Sequence, residues 1–133
     1  MPLHIKRMTP LIQVFNMPRA VTFYRDILGF EVMADSGSGD HSSWIMLRLD
    51  EGELMLNDQY EPGREPSQPP PERTKWHRDT GLYFDCPDPD AIYELLKLKG
   101  MDLKPPQIAP YGMKQLYLTD PDGYLLCFQC SLR

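Results

Sequence analysis

Two cysteines near the C-terminus, Cys127 and Cys130, stand in a C-x-x-C spacing at the end of the stretch DPDGYLLCFQC. Such a pair is half of a zinc clip, a redox couple, or two side chains that fill a strand. A zinc ribbon needs a second ligand pair, and only Cys86 remains. A redox C-x-x-C sets its nucleophilic sulfur at a helix N-terminus, where the dipole lowers its pKa, whereas the apolar run around Cys127 reads as a strand. On a strand, a spacing of three points the two side chains to opposite faces, so the strand-filling reading is the expectation. The histidines His4, His41 and His77 have no paired spacing and fall in segments that read as terminus and loops. His77 stands just before an apolar segment, and with Glu53 and Asp85 it makes a candidate catalytic or ligand set whose geometry the sequence leaves open.

These residues need a scaffold. A length of 133 residues suffices for one domain with its own core, and 41% hydrophobic with 25% charged residues excludes disorder and coiled coil on composition. The net charge of −5, from 14 basic and 19 acidic residues, argues against a nucleic-acid surface and favours a neutral or cationic small ligand. No apolar stretch reaches membrane-span length and the N-terminal residues lack a signal-peptide pattern, so the expectation is a cytoplasmic protein without a membrane partner. An odd count of three cysteines fits a reducing compartment.

The chain reads as two copies of one unit. In NMPRAVTFYRDILGF, Pro18 suits a first helical turn, Ala20, Val21, Tyr24, Ile27 and Leu28 form an apolar stripe, and Gly29 suits the C-cap. In PDPDAIYELLKLKGM, Asp88 caps, Pro89 opens the helix, Ala91, Ile92, Leu95 and Leu96 make the stripe, and Gly100 ends it. Strands are expected at 10–15, 30–34, 44–49 and 53–57 around the first helix, and at 81–86, 102–108, 114–119 and 124–129 around the second. Each half is therefore βαβββ. The first module covers about 8–57 and the second about 80–130, with a proline-rich connecting loop at 58–79.

Alternation assigns faces. Ile45, Leu47 and Leu49 suit burial, while Trp44, Met46 and Arg48 point the other way. The same split sets Leu54 and Leu56 against Glu53, Met55 and Asn57, Leu116 and Leu118 against Gln115, Tyr117 and Thr119, and Leu126 and Phe128 against Leu125, Cys127 and Gln129. Such a mixed face suits a concave ligand site, an ordinary amphipathic surface or a subunit interface. Arg48 could hold a ligand carboxylate in a fork or pair with Asp85 or Glu53. Trp76, among polar residues of the connecting loop, could close a lid or anchor the loop.

The run PLIQVFNMPRAVTFYRDILGFEV, the second module with its own helix, and YGMKQLYLTDPDGYLLCFQ resemble the vicinal oxygen chelate superfamily of glyoxalase I, extradiol dioxygenases and bleomycin-resistance proteins. The resemblance spans nearly the whole chain. It implies an α+β fold of two βαβββ modules as a single domain over 1–133, sheets curled around a cup, and a homodimer. It also implies where the metal ligands of catalytic members would stand: Thr9, Met55, Gly81 (or Thr80) and Cys127, the last normally Glu. None of these suits a hard or borderline divalent metal.

Two functional readings follow from the resemblance. One is a metal-free, cofactor-free binding protein of the bleomycin-resistance kind, taking a small aromatic or cationic ligand among Gln13, Phe15, Trp44, Met46, Arg48, Met55, Tyr83, Tyr117 and Cys127. The alternative is a glyoxalase- or dioxygenase-like enzyme, a lyase or oxidoreductase for a small carbonyl or catechol-like substrate, with a rebuilt divalent-metal site or with Glu53, His77 and Asp85 as acid/base groups.

Overall fold

The computed structural model describes residues 2–58, 60 and 64–133, so that Gln59, Glu61, Pro62 and Gly63 of the connecting loop lie outside the described residues. The chain divides into two compact units, Met1–Pro66 and Ser67–Arg133. The first contains β1 (Leu11–Val14), α1 (Met17–Val21) running into a π-helical stretch (Thr22–Ile27), β2 (Glu31–Asp35), a short 3-10 turn (Gly39–His41), β3 (Trp44–Leu49) and β4 (Gly52–Asp58). Its sheet has the order β1-β4-β3-β2, with β1 parallel to β4 and the other pairs antiparallel. The second unit contains α2 (Pro71–His77), β5 (Gly81–Asp85), α3 (Pro89–Leu98), β6 (Gln107–Ile108), β7 (Met113–Thr119) and β8 (Leu125–Ser131). Its sheet repeats the pattern as β5-β8-β7-β6, with β5 parallel to β8. Each unit is thus the expected βαβββ module.

The first helix opens where the sequence places it: the side chain of Asn16 accepts from the amide of Arg19 at 2.9 Å, and Pro18 occupies the first turn. Ala20, Val21 and Tyr24 are fully buried, but the wider π-helical turn shifts the phase beyond them. Phe23 therefore joins the core, while Ile27 and Leu28, expected in the stripe, are half-buried. In the second unit Asp88 caps α3 by accepting from Ala91 N at 3.2 Å. The helix rests on Pro89, Ile92 and Leu96, a row at i, i+3 and i+7, so Ala91 and Leu95 are exposed rather than part of the stripe. Gly29 and Gly100 end the two helices at φ of +90° and +91°, the left-handed conformation their shared position requires.

Two expectations need correcting. The strand expected at 102–108 is only Gln107–Ile108, because Pro105 and Pro106 have no amide to give to a ladder. The connecting loop 58–79 contains α2, which starts on Pro71, the residue type that tolerates the first helical position. Hydrogen bonds to one turn anchor it. Arg73 Nε lies 3.2 Å from Asp122 Oδ1, both side chains being buried, and His77 Nδ1 donates to the Asp122 carbonyl at 2.7 Å. The His77 ring stacks on Tyr124 at 4.1 Å. The Asp120 carboxylate holds the turn by accepting from the amides of Asp122 and Tyr124, each at 2.9 Å. A Cβ on Gly123 would stand 2.4 Å from the Thr74 carbonyl oxygen, so the DPDG turn is a fitted seat for α2. Trp76 is exposed and takes no part in that anchoring.

The cores follow the alternation: Ile12, Val14, Ile45, Leu47, Leu54 and Leu56 are buried in the first unit, and Leu116, Leu118, Leu126 and Phe128 in the second. Among the described residues no helix is long and apolar enough to cross a membrane.

Candidate functional site

Pairing across each sheet gathers the candidate residues into rungs. In the first unit the central rung is Met46–Met55–Leu11, one end is Trp44–Asn57–Gln13, and the other is Arg48–Glu53, which Thr9 completes through its side chain. In the second unit the equivalent central rung is Tyr117–Cys127–Tyr83, flanked by Gln115–Gln129–Asp85 and by Thr119–Leu125–Gly81. Phe15 lies past the end of β1, edge-to-face with Tyr60 at 5.9 Å, in a separate hollow that also includes Asn16 and Asp58.

In the first unit one carboxylate, Glu53, is shared between two arginines. Glu53 lies 2.8 Å from Arg48 Nη2 and 2.6 Å from Arg7 Nη1, and accepts from the Thr9 hydroxyl at 3.1 Å. The Arg48 guanidinium, with Arg7 and Thr9 adding to it against the opposing effect of burial, holds the Glu53 carboxyl below its ordinary range. A carboxylate so stabilised is a poor general base. His77 and Asp85 have different partners: His77 is occupied by the DPDG turn and Tyr124, while Asp85 accepts from Gln129.

The second unit carries a directed chain of neutral groups. A carboxylate can only accept, so Gln129 turns its Nε2 toward Asp85, at 3.3 Å. Gln129 Oε1 then accepts from Gln115 Nε2 at 3.0 Å, which leaves Gln115 Oε1 to face the tyrosines. Tyr117 donates to that oxygen at 2.9 Å and Tyr111 at 3.0 Å, filling both its lone pairs. Tyr83 bonds to the Tyr117 hydroxyl, an interaction that with burial pushes the Tyr117 phenol up from its ordinary value. Cys127 sits under this pair, fully buried, its thiol pushed up by burial against an opposing hydrogen bond with Tyr117.

With its proton directed to Gln115, the Tyr111 hydroxyl is left with lone pairs, and Tyr83 and Tyr111 are both more than half exposed, at 54% and 58%. Beside them, Gln115, Tyr117 and Thr119 form one wall of a hollow of about 400 Å³, closed on the other side by the 101–107 segment. That volume lies within the roughly 300–1,000 Å³ typical of small-molecule sites. Sequence reasoning placed Gln115 and Gln129 on this face but not among the site residues, and it missed Tyr111 and the wall at 101–107. The odd-numbered run Tyr111, Met113, Gln115, Tyr117, Thr119 was the available signal.

The positions that hold metal in catalytic relatives do not fit one here. Thr9 is engaged with Glu53, Met55 offers a thioether, and a Cβ at Gly81 would already meet the Tyr83 ring at 3.1 Å. Cys127 presents a soft, protonated sulfur. Among the described residues no three His, Cys, Asp or Glu side chains come together in a group able to hold a metal ion.

Comparison with known proteins bears on this arrangement. No protein of curated function matches the chain. Among solved structures it is similar to TioX from Micromonospora sp. ML1 (20% identity, TM-score 0.73, covering 96% of this chain and 99% of that one). It is also similar to a glyoxalase/bleomycin resistance protein/dioxygenase from Nocardioides (18%, 0.71, 99% and 87%). A third is TnmS3, an antibiotic binding protein from Streptomyces sp. CB03234 (23%, 0.67, 96% and 99%). At these identities the likeness shows a shared fold. The family model for the Glyoxalase/Bleomycin resistance protein/Dioxygenase superfamily matches residues 3–128, nearly the whole chain, and the chain belongs to that superfamily.

Proposed function

We propose that this chain is a small-molecule-binding protein of the bleomycin-resistance-like kind, which works without the divalent metal of catalytic relatives and takes an aromatic ligand carrying hydrogen-bond donors or positive charge. The observation that carries the reading is the polarity of the Asp85–Gln129–Gln115–tyrosine chain. It directs phenol protons inward and turns acceptor lone pairs outward, beside aromatic faces that favour a cation. The antibiotic-binding TnmS3 is a supporting precedent for this use of the fold. The two arginines paired with Glu53 count against a free acid/base group there. A homodimer and a cytoplasmic location belong to the same proposal.

Calorimetric titration with matched aromatic probes tests it: tyramine as the amine and 4-hydroxyphenylacetate as the carboxylate. The expected result is saturable binding of the amine, with the carboxylate at least about tenfold weaker, a difference of about 1.4 kcal/mol. Failure of every aromatic amine to bind overturns the reading, as does a stoichiometric transition metal found by elemental analysis of the purified protein.

A further inference from the structure

The strand pairing settles which cysteine is the neighbour of Cys130. In the parallel pairing of β5 with β8, Asp85 stands opposite Gln129, and the amide of Cys86 donates to the Gln129 carbonyl at 2.8 Å. One residue further along the same register, Cys86 comes opposite Cys130. The two residues line one shallow hollow, together with Met113, Pro87 and Ser131. Both residues are half-buried and both are free thiols, whereas Cys127 is fully buried on the opposite face. Burial, and secondarily the nearness of Cys130, push the Cys86 thiol up, and the Asp88 amide donates to its sulfur.

We propose that Cys86 and Cys130 are a thiol modification site: a reversible disulfide that clasps the end of the edge strand β5 to the central strand β8. Adjacent strands lie about 4.8 Å apart, inside the roughly 4.4–6.8 Å separation of Cα atoms that a disulfide spans. Cys86 is the first residue after β5, and the chain bends there toward the α3 cap at Asp88, so its backbone is held by one strand-end hydrogen bond and not by a continuing ladder. A bridge between directly opposed residues of parallel strands carries strain, and strained, accessible disulfides are the readily reduced ones. The clasp therefore opens and closes with the thiol environment.

With oxidised glutathione as oxidant the chemistry balances. One cysteine, as thiolate, attacks a glutathione sulfur, forming a mixed disulfide and releasing one glutathione thiolate. The other cysteine, as thiolate, attacks the protein-side sulfur of that mixed disulfide, forming the Cys86–Cys130 bond and releasing the second glutathione thiolate. The two protons lost by the cysteines end on two glutathione thiols, and the two electrons reside in those products. The site is independent of the ligand reading. It borders it, however, since Asp85 and Gln129, the start of the directed chain, form the rung next to the clasp.

The test is to incubate the folded protein with oxidised glutathione, block remaining thiols, and map disulfides by peptide mass spectrometry, with a thiol count on the denatured sample. The expected result is loss of two of the three thiols, a cross-linked peptide containing Cys86 and Cys130, full recovery with dithiothreitol, and Cys127 still alkylatable. Cys86→Ser and Cys130→Ser each abolish the cross-link, and Cys127→Ala leaves it intact. A Cys127–Cys130 link, a glutathione adduct that persists on either cysteine, or no loss of thiol overturns the proposal. Because the wild-type peptide map decides the question by itself, a variant that fails to fold does not shelter it.

Discussion

The two modules place different chemistry on equivalent lattice sites. At the centre of the first sheet a thioether, Met55, lies between Leu11 and Met46, and at the centre of the second a thiol, Cys127, lies between Tyr83 and Tyr117. Around the first centre stand full charges, Arg7 and Arg48, which share the single carboxylate of Glu53. Around the second stand amides and phenols whose hydrogen bonds all run one way, toward Asp85. The ion cluster keeps its one carboxylate occupied, whereas a directed chain of neutral dipoles presents one sign of partner to whatever arrives. On the proposed function, recognition falls to the second module and the first keeps an apolar and structural share.

The turns that close the corresponding hairpins differ in the same way. Asp50 and Glu51 of the first module are exposed, while Asp120 and Asp122 of the second are buried beneath α2. The largest expected effect is therefore at Asp122. Its replacement by alanine breaks the buried pair with Arg73 and should cost about 3–5 kcal/mol of stability by urea denaturation. A loss below about 1 kcal/mol would mean that α2 is not held through this pair, and the contrast between the turns would fall.

Next in size is a pair of substitutions at equivalent central-rung positions. Tyr117→Phe removes one of the two hydrogen bonds that Gln115 Oε1 accepts and frees the amide to turn, so amine affinity should fall about tenfold, the worth of a hydrogen bond of roughly 1–1.5 kcal/mol. Met46→Leu, a near-isosteric change on the same rung of the first module, should leave affinity within about threefold, a change below about 1 kcal/mol. Titration of both variants with tyramine compares the two faces directly. Equal losses would place the ligand across both, and a loss confined to Met46→Leu would reverse the assignment.

Glu53 supplies a smaller, pH-dependent contrast. Its native carboxyl is held below the ordinary value of 4.5 by Arg48, with Arg7 and Thr9. The unfolded chain therefore binds the proton first as pH falls. The stabilisation is present above 4.5 and is lost as pH drops through the lowered native value. Glu53→Gln should flatten that part of the curve of denaturation midpoint against pH, with activity toward ligand unchanged. A variant with the wild-type acid slope would show that the cluster does not couple protonation to folding.

What was legible in the sequence follows from how local each signal is. Trp44–Leu49 emerged with its observed limits and faces because alternation and a bounding turn are local properties. The Asp88 cap and both closing glycines were readable for the same reason. By contrast α2 has no apolar stripe to read, since polar side chains, Arg73 and His77, attach it to a turn 45 to 49 residues away. The directed chain was half visible: alternation put Gln115, Tyr117, Cys127 and Gln129 on one face, but only the register set Gln129 between Asp85 and Gln115. The cysteines show the same limit. Sequence spacing drew attention to Cys127 and Cys130, and strand pairing brings Cys130 to Cys86.

The smallest expected effect lies in the turn opposite Asp122. Asp50 has a φ of +51°, in the left-handed region that costs a residue with a Cβ about 1 kcal/mol or more. Asp50→Gly relieves that strain, while the added freedom of glycine in the unfolded chain costs about 0.5–1 kcal/mol in the other direction. The two nearly cancel, so the melting temperature should move by no more than a few degrees, equivalent to less than about 1 kcal/mol. The same kind of change in the second module meets buried partners on every side. If Asp50→Gly proved as damaging as Asp122→Ala, the first turn would have to carry a contact comparable to the seat of α2, and the two hairpins would be alike in function as well as in topology.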